Sequence, residues 1–206
     1  MVPLRTLIAS LLILLFAIPA HGAPKPRPYS GIGLLIIHSF TAQRTADMAG
    51  IPIYQAPGVG RFAEIEASEL PQLSPVLKSA DGKYSVIVLG KQGTWLRIVY
   101  DDAGRAGWIH KERYWEFVRW ESFLKGREIQ LLPGLKKGLY ALHKEPSETS
   151  PILGTLTRQK NLRVIETEDD WCLVIVDLTV AGWLRWRDED GRFLIAVDEK
   201  FDPQKH

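Results

Sequence analysis

Cysteine is almost missing. Cys172 stands alone in the chain, so no internal disulfide framework can form and the folded parts must be held by their apolar cores. A surplus of charge is missing too: Lys and Arg number 26 and Asp and Glu 24. That excludes the clustered basic excess by which nucleic-acid binders displace counterions. The histidines His38, His110 and His143 have no partners at zinc-ligand spacing. Beyond the N-terminus no long apolar run exists, and the one there, Leu7 to Ile18, is shorter than the roughly 20 residues that span a bilayer. Wholesale disorder is excluded as well, because 46% hydrophobic and 24% charged residues are ordinary values for a folded chain.

What that first run does resemble is a secretory leader. Arg5 precedes it, and Pro19 with the small residues Ala20, Gly22 and Ala23 follows, so residues 1–23 read as a signal peptide cleaved after Gly22 or Ala23. No cysteine sits at that exit, which argues against a lipid anchor. The expected location is therefore outside the cytoplasm, in the periplasm or cell envelope, with membrane contact only through the signal peptide during export. Pro24-Lys25-Pro26-Arg27-Pro28 then holds the chain extended as a tether.

The body of the chain repeats itself. Val76 to Asp101 recurs as Ile152 to Asp177 at a constant offset of 76 residues, pairing Val88 with Val164, Trp95 with Trp171 and Ile98 with Val174. One residue out of step, Ala106-Gly107-Trp108-Ile109 meets Ala181-Gly182-Trp183-Leu184. Further upstream, Ile51 to Pro57 matches Tyr140 to Pro146, each an extended segment entering a Pro turn. From that Pro to the shared Trp the first copy takes 38 residues and the second 25, so the first copy is expected to carry an enlarged loop between Val59 and Pro71. The boundaries that follow are an N-terminal extended segment with one strand at 24–49, a first domain at 50–118, a connector at 119–138, a second domain at 139–197 and a tail at 198–206. The run Leu34 to Ile37 suits a buried strand, and 41–50 is left open between loop and helical turn.

The two-residue period of a strand assigns faces. Leu96, Ile98 and Tyr100, with Cys172, Val174 and Val176, form the core side. The other face bears Trp95, Arg97 and Val99 in the first copy, and Trp171, Leu173 and Ile175 in the second. A strand apolar on both faces is normally covered on both, so a cover is expected over Leu173 and Ile175, and these two are candidate interface residues. The aromatic stretch Tyr114 to Phe123, which fits both strand and helix spacing, could supply it. Trp108 and Trp183 are expected in the core. Trp95 and Trp171, with Tyr54 and Tyr140 from the opening segments, are the candidate ligand-binding residues, because a rigid amphipathic ring offers a large contact area and a polar handle.

The series Leu142, Pro146, Ile152-Leu153-Gly154, Leu162, Val164, Asp170-Trp171, Val174 and Gly182-Trp183-Leu184 resembles the bacterial SH3-like (SH3b) domain. The first copy resembles it less, with Lys78 where the family prefers Gly. The resemblance implies an all-β protein of two small SH3-like barrels in tandem. It also implies, in an exported protein, binding to cell-wall peptidoglycan or to an envelope protein. Such domains are often fused to hydrolases, and cysteine peptidases among them would need Cys172 with His38, His110 or His143. Cys172 aligns with the core residue Leu96, however, and a small buried hydrophobe is the reading adopted. The expectation is thus a binding protein that is not an enzyme, with no cofactor and no metal. The competing class is a scaffold using Leu173 and Ile175. Glu166, Glu168, Asp169 and Asp170 read as solvated charge in a hairpin loop.

Overall fold

The computed structural model describes residues 27–38, 50–77, 82–157 and 162–198. The stretch read as a signal peptide, most of the Pro-rich tether, residues 39–49, 78–81 with Lys78, 158–161 and the tail beyond 198 lie outside them.

The described chain is all-β. Its strands are β1 (Gly33–His38), β2 (Ile51–Ala56), β3 (Val59–Ile65), β4 (Lys83–Gln92), β5 (Trp95–Val99), β6 (Ala106–His110) and β7 (Glu116–Arg119), then, after the short helix α1 (Trp120–Leu124), β8 (Glu128–Leu131), β9 (Ala141–His143), β10 (Ile152–Thr155), β11 (Leu162–Glu168), β12 (Trp171–Val176), β13 (Val180–Arg185) and β14 (Ile195–Asp198). They form two antiparallel seven-stranded sheets. The first runs β3-β2-β6-β5-β4-β1-β7 and the second β10-β9-β13-β12-β11-β8-β14. Each strand of the first therefore has its counterpart seven strands later, in the same place. The repeating unit is larger than the sequence match suggests, because it begins at β1 and β8. The stretch 119–138 read as a connector holds α1 and β8, and β8 pairs with both β11 and β14.

Register confirms the central equivalences: Val88 lies opposite Ile98 as Val164 lies opposite Val174, each beside a bulge. Tyr54 opposite Trp108 matches His143 opposite Trp183. Here the opening strand crosses close over the Gly-Trp strand. A Cβ on Gly107 would sit 2.3 Å from Ile53 Cγ2, and one on Gly182 would sit 2.5 Å from Leu142 Cγ. Only glycine leaves room for that crossing.

Several expectations need correction. The barrels are not closed: among the described residues no ladder joins β3 to β7 or β10 to β14, and each unit is an open sheet wrapped round its core. The enlarged loop is largely the edge strand β3, which pairs along β2, followed by a turn whose Ala67 and Leu70 close the first core. Trp108 and Trp183 are half-buried on the outer face. Ile109 and Leu184 occupy the core, and the two-residue period turns their predecessors outward. The pairing of Val76-Leu77 with Ile152-Leu153 also fails. The first two are each 1% exposed, at the junction of the units, whereas Ile152 and Leu153 are 62% and 50% exposed on the edge strand β10.

Two cores result, and β1 separates them. Leu35 and Ile37 enter the first core while Leu34 and Ile36 enter the second, a shared cluster that also takes Ile87, Val76 and Leu77 from the first unit. This is why Leu34 to Ile37 is apolar without alternation: both faces of the strand are covered. The aromatic stretch is strand and helix in turn, β7 and then α1. Trp115 joins the first core, and Trp120, Phe123 and Leu124 join the shared one. Trp120 packs edge-on to Phe193 and Phe123, tilts against Trp186, and donates its indole N–H to the Ser30 carbonyl at 2.6 Å. The aromatic cover thus lies over β1, and Leu173 and Ile175 stay half-buried, outside both cores.

The chain ahead of β1 belongs to the second unit. Arg27 pairs with Asp188 at 2.7 Å and donates to the Phe193 carbonyl, Ser30 N–H donates to Gly191, and the Arg192 guanidinium lies over the Tyr29 ring. At the other end, Val197 N–H donates to the Val76 carbonyl at 2.7 Å. Among the described residues no helix is long and apolar enough to cross a membrane.

Candidate functional site

Trp171 opens β12 on its outer face, as parity requires, yet it is only 8% exposed. Two neighbours enclose it. His143, the last residue of β9, meets the indole edge-on at 5.2 Å between ring centroids, and the Arg185 guanidinium, at the end of β13, lies 5.3 Å from the ring. A cation over an indole at this distance is stabilising by about 0.5–2 kcal/mol, depending on desolvation. His143 is fixed in turn, its Nδ1–H donating to the Ser150 carbonyl at 3.3 Å. Ser150 also accepts the Glu145 N–H through its hydroxyl at 2.8 Å, which pins the loop between β9 and β10.

That loop presents Glu148 to Arg185. The Nη1 to Oε1 distance is 3.3 Å, with Glu189 further off at 3.9 Å. Both carboxylates are well exposed, so each pair is worth no more than about 1 kcal/mol. Arg185 Nε is buried and has no hydrogen-bond partner among the described residues. The indole floors a cavity of about 420 Å³, walled by Leu139, Ala141 and Ile152 and edged by Lys136, Arg185 and Glu148. Its size is that of small-molecule and peptide-end pockets, and a flat apolar floor beside two cations is the mixture such pockets use.

The first unit holds the same constellation with other side chains. Tyr54 meets Trp95 edge-on at 5.2 Å and His110 lies 5.3 Å from the same ring. By register, Tyr54 corresponds to His143 and His110 to Arg185. Here the β2–β3 connection is a tight turn, and a Cβ on Gly58 would lie 3.7 Å from Trp95. Trp95 is half-buried there, and the cavity described above is lined by residues of the second unit only.

The structure thus brings Tyr54 and Trp95 together, but Tyr140 does not join Trp171. Its hydroxyl donates to the Leu132 carbonyl at 3.2 Å and its ring packs on the shared core. His143, Arg185, Lys136 and Glu148 are the residues that sequence reasoning missed at this site. Their signal is in the repeat, since Trp171 and Arg185 stand at the offsets of Trp95 and His110, although Asp188-Glu189-Asp190 follows and makes the segment look charge-neutral. Of that acidic run, Asp188 holds Arg27, and Glu189 stands 3.9 Å from Arg185 itself. In the hairpin before Trp171, Asp170 takes Arg187, and the Asp169 carbonyl accepts the Trp186 indole N–H at 3.0 Å. Cys172 points into the core beside Trp171, and burial pushes its thiol well above the ordinary cysteine range.

Fold and site together define a tandem all-β protein with one aromatic cluster per unit. No family model matches the chain, and no curated protein does. Among solved structures it is similar to NlpC1 from Trichomonas vaginalis, with 12% identity and a TM-score of 0.32, over 81% of this chain and 51% of that one. The chain spans about half the length of that neighbour, and a likeness of that degree carries no argument about what this chain does. The expectation that the chain is not an enzyme is withdrawn.

Proposed function

We propose that this is an exported protein of two SH3-like units that binds in the cell envelope, with peptidoglycan as the leading ligand and an envelope protein as the other, through the Trp171 cavity of the second unit. The cavity carries the reading, with its indole floor, aliphatic walls and cationic edge. The family resemblance is supported by the aromatic-led strand β12 and by the closing Gly-Trp strand β13, which pairs back to the opening strand β9. The leader supports export. The test is retention of the full chain on isolated peptidoglycan at moderate salt, wild type against Trp171→Ala. Retention lost in the variant with the fold intact is the expected outcome, and no retention of wild type rules the wall ligand out. The scaffold reading is favoured by one observation: Leu173 and Ile175, half-buried, lie on the same hairpin as Leu178 and Val180, which are exposed. Leu173→Asp would then dissolve a complex seen by light scattering while wall retention is unchanged.

A further inference from the structure

We propose that the Trp171 cavity takes the free carboxylate end of a short peptide on Arg185, and that Glu148 is a resident carboxylate which holds Arg185 until the ligand displaces it. This rests on reading the second unit as a ligand-binding unit and adds the chemistry of what it takes. The guanidinium is already engaged by carboxylates, but loosely: Glu148 at 3.3 Å and, more weakly, Glu189 at 3.9 Å, both from exposed side chains. Its Nε is buried with no partner among the described residues, a state that leaves a charged donor unsatisfied. A guanidinium presents paired N–H groups that match a carboxylate in a two-point contact, whereas Glu148 meets it through the single nitrogen Nη1. Lys136 adds a second positive charge at the edge, so a negative ligand is favoured there. The indole of Trp171 with Leu139 and Ile152 would take the adjoining apolar side chain. In the first unit the imidazole of His110 stands where the Arg185 guanidinium stands, so carboxylate capture is assigned to the second unit alone.

The test is titration calorimetry of the full chain with N-acetyl-alanyl-leucine, with its C-terminal amide, and with inorganic phosphate. The free acid is expected to bind at least tenfold more tightly than the amide, as the loss of a charge-assisted pair implies, and phosphate to compete only weakly. Glu148→Gln should bind the acid about three- to tenfold more tightly, because the nearer of its two competitors is gone and only the more distant Glu189 remains, and Arg185→Ala should abolish the preference for acid over amide. Equal binding of acid and amide, phosphate competing as well as the acid, or weaker binding by Glu148→Gln overturns the proposal. So does no binding of either peptide. Should Arg185→Ala fail to fold, the exposed Glu148→Gln decides. Wall retention without peptide binding would sink this inference and leave the proposed function standing. Peptide binding without wall retention would do the reverse.

Discussion

The two units share a frame and differ in what they hang on it. Their inner faces match residue for residue along β5 and β12, where Leu96 and Ile98 stand for Cys172 and Val174, and their Gly-Trp strands are crossed in the same way. On the outer face the same three positions read Tyr54, Trp95 and His110 in one unit and His143, Trp171 and Arg185 in the other. The turns differ as well. Gly93 and Gly104 supply the positive φ in the first unit, whereas Asp169, Asp177 and Leu178 adopt it in the second. The change at Asp177 and Leu178 marks the one-residue slip in the match, because the path from Val174 to its partner Gly182 is a residue shorter than that from Ile98 to its partner Gly107 and folds through consecutive left-handed residues. Packing fixes the interior of such a unit, and its rim is free to change chemistry.

The comparison breaks most forcefully at the junction. Trp120→Ala removes a buried indole stacked among Phe123, Trp186 and Phe193 and should cost about 3–5 kcal/mol. Because the shared core includes residues of both units, denaturation followed by tryptophan fluorescence and by far-ultraviolet dichroism should still give one coincident transition, lowered as a whole. Two separated transitions would show that the units are energetically independent. Next in size are Gly107→Ala and Gly182→Ala. Each drives a methyl into the crossing strand and should cost about 1–3 kcal/mol. Similar losses in thermal unfolding would support the equivalence of the crossings, and an unaffected melting temperature in either would refute it. The smallest effect sharpens the difference between the turns. Leu178 is 81% exposed at φ 58°, a conformation that costs a side-chain-bearing residue about 1–2 kcal/mol. Leu178→Gly should therefore raise stability by up to about 1 kcal/mol, and a fall would mean that the leucine makes a contact worth more than its backbone costs.

How much of this was legible depends on where the signal is local. The core face of β5 and β12 could be read because alternation and the repeat agreed at Leu96, Ile98, Cys172 and Val174. The pair Val76-Leu77 misled because Ser-Pro followed by two aliphatics occurs twice, once buried at the junction and once exposed on an edge strand. Nothing local separates those outcomes, since burial there is decided by Val197, more than a hundred residues away. Strand β3 was hidden by weak alternation in Val59 to Ile65, whose side chains are mostly exposed. Trp171 was a fair candidate, but its setting was not legible. That setting requires β9 to be laid beside β13, which a single register contact between His143 and Trp183 accomplishes.

The docking of Arg27 to Ser30 on the loop around Gly191 sets an order of events. A ribosome makes that segment about 160 residues before the surface that receives it, the separation between the partners. Until the last strands are made, the early segment has nothing to hold, and the first sheet must form with its leading end loose. Contacts so distant along the chain close slowly, so this segment is expected to lock only after Arg192 and Phe193 have been made, and a chain stopped short of Arg192 would never lock.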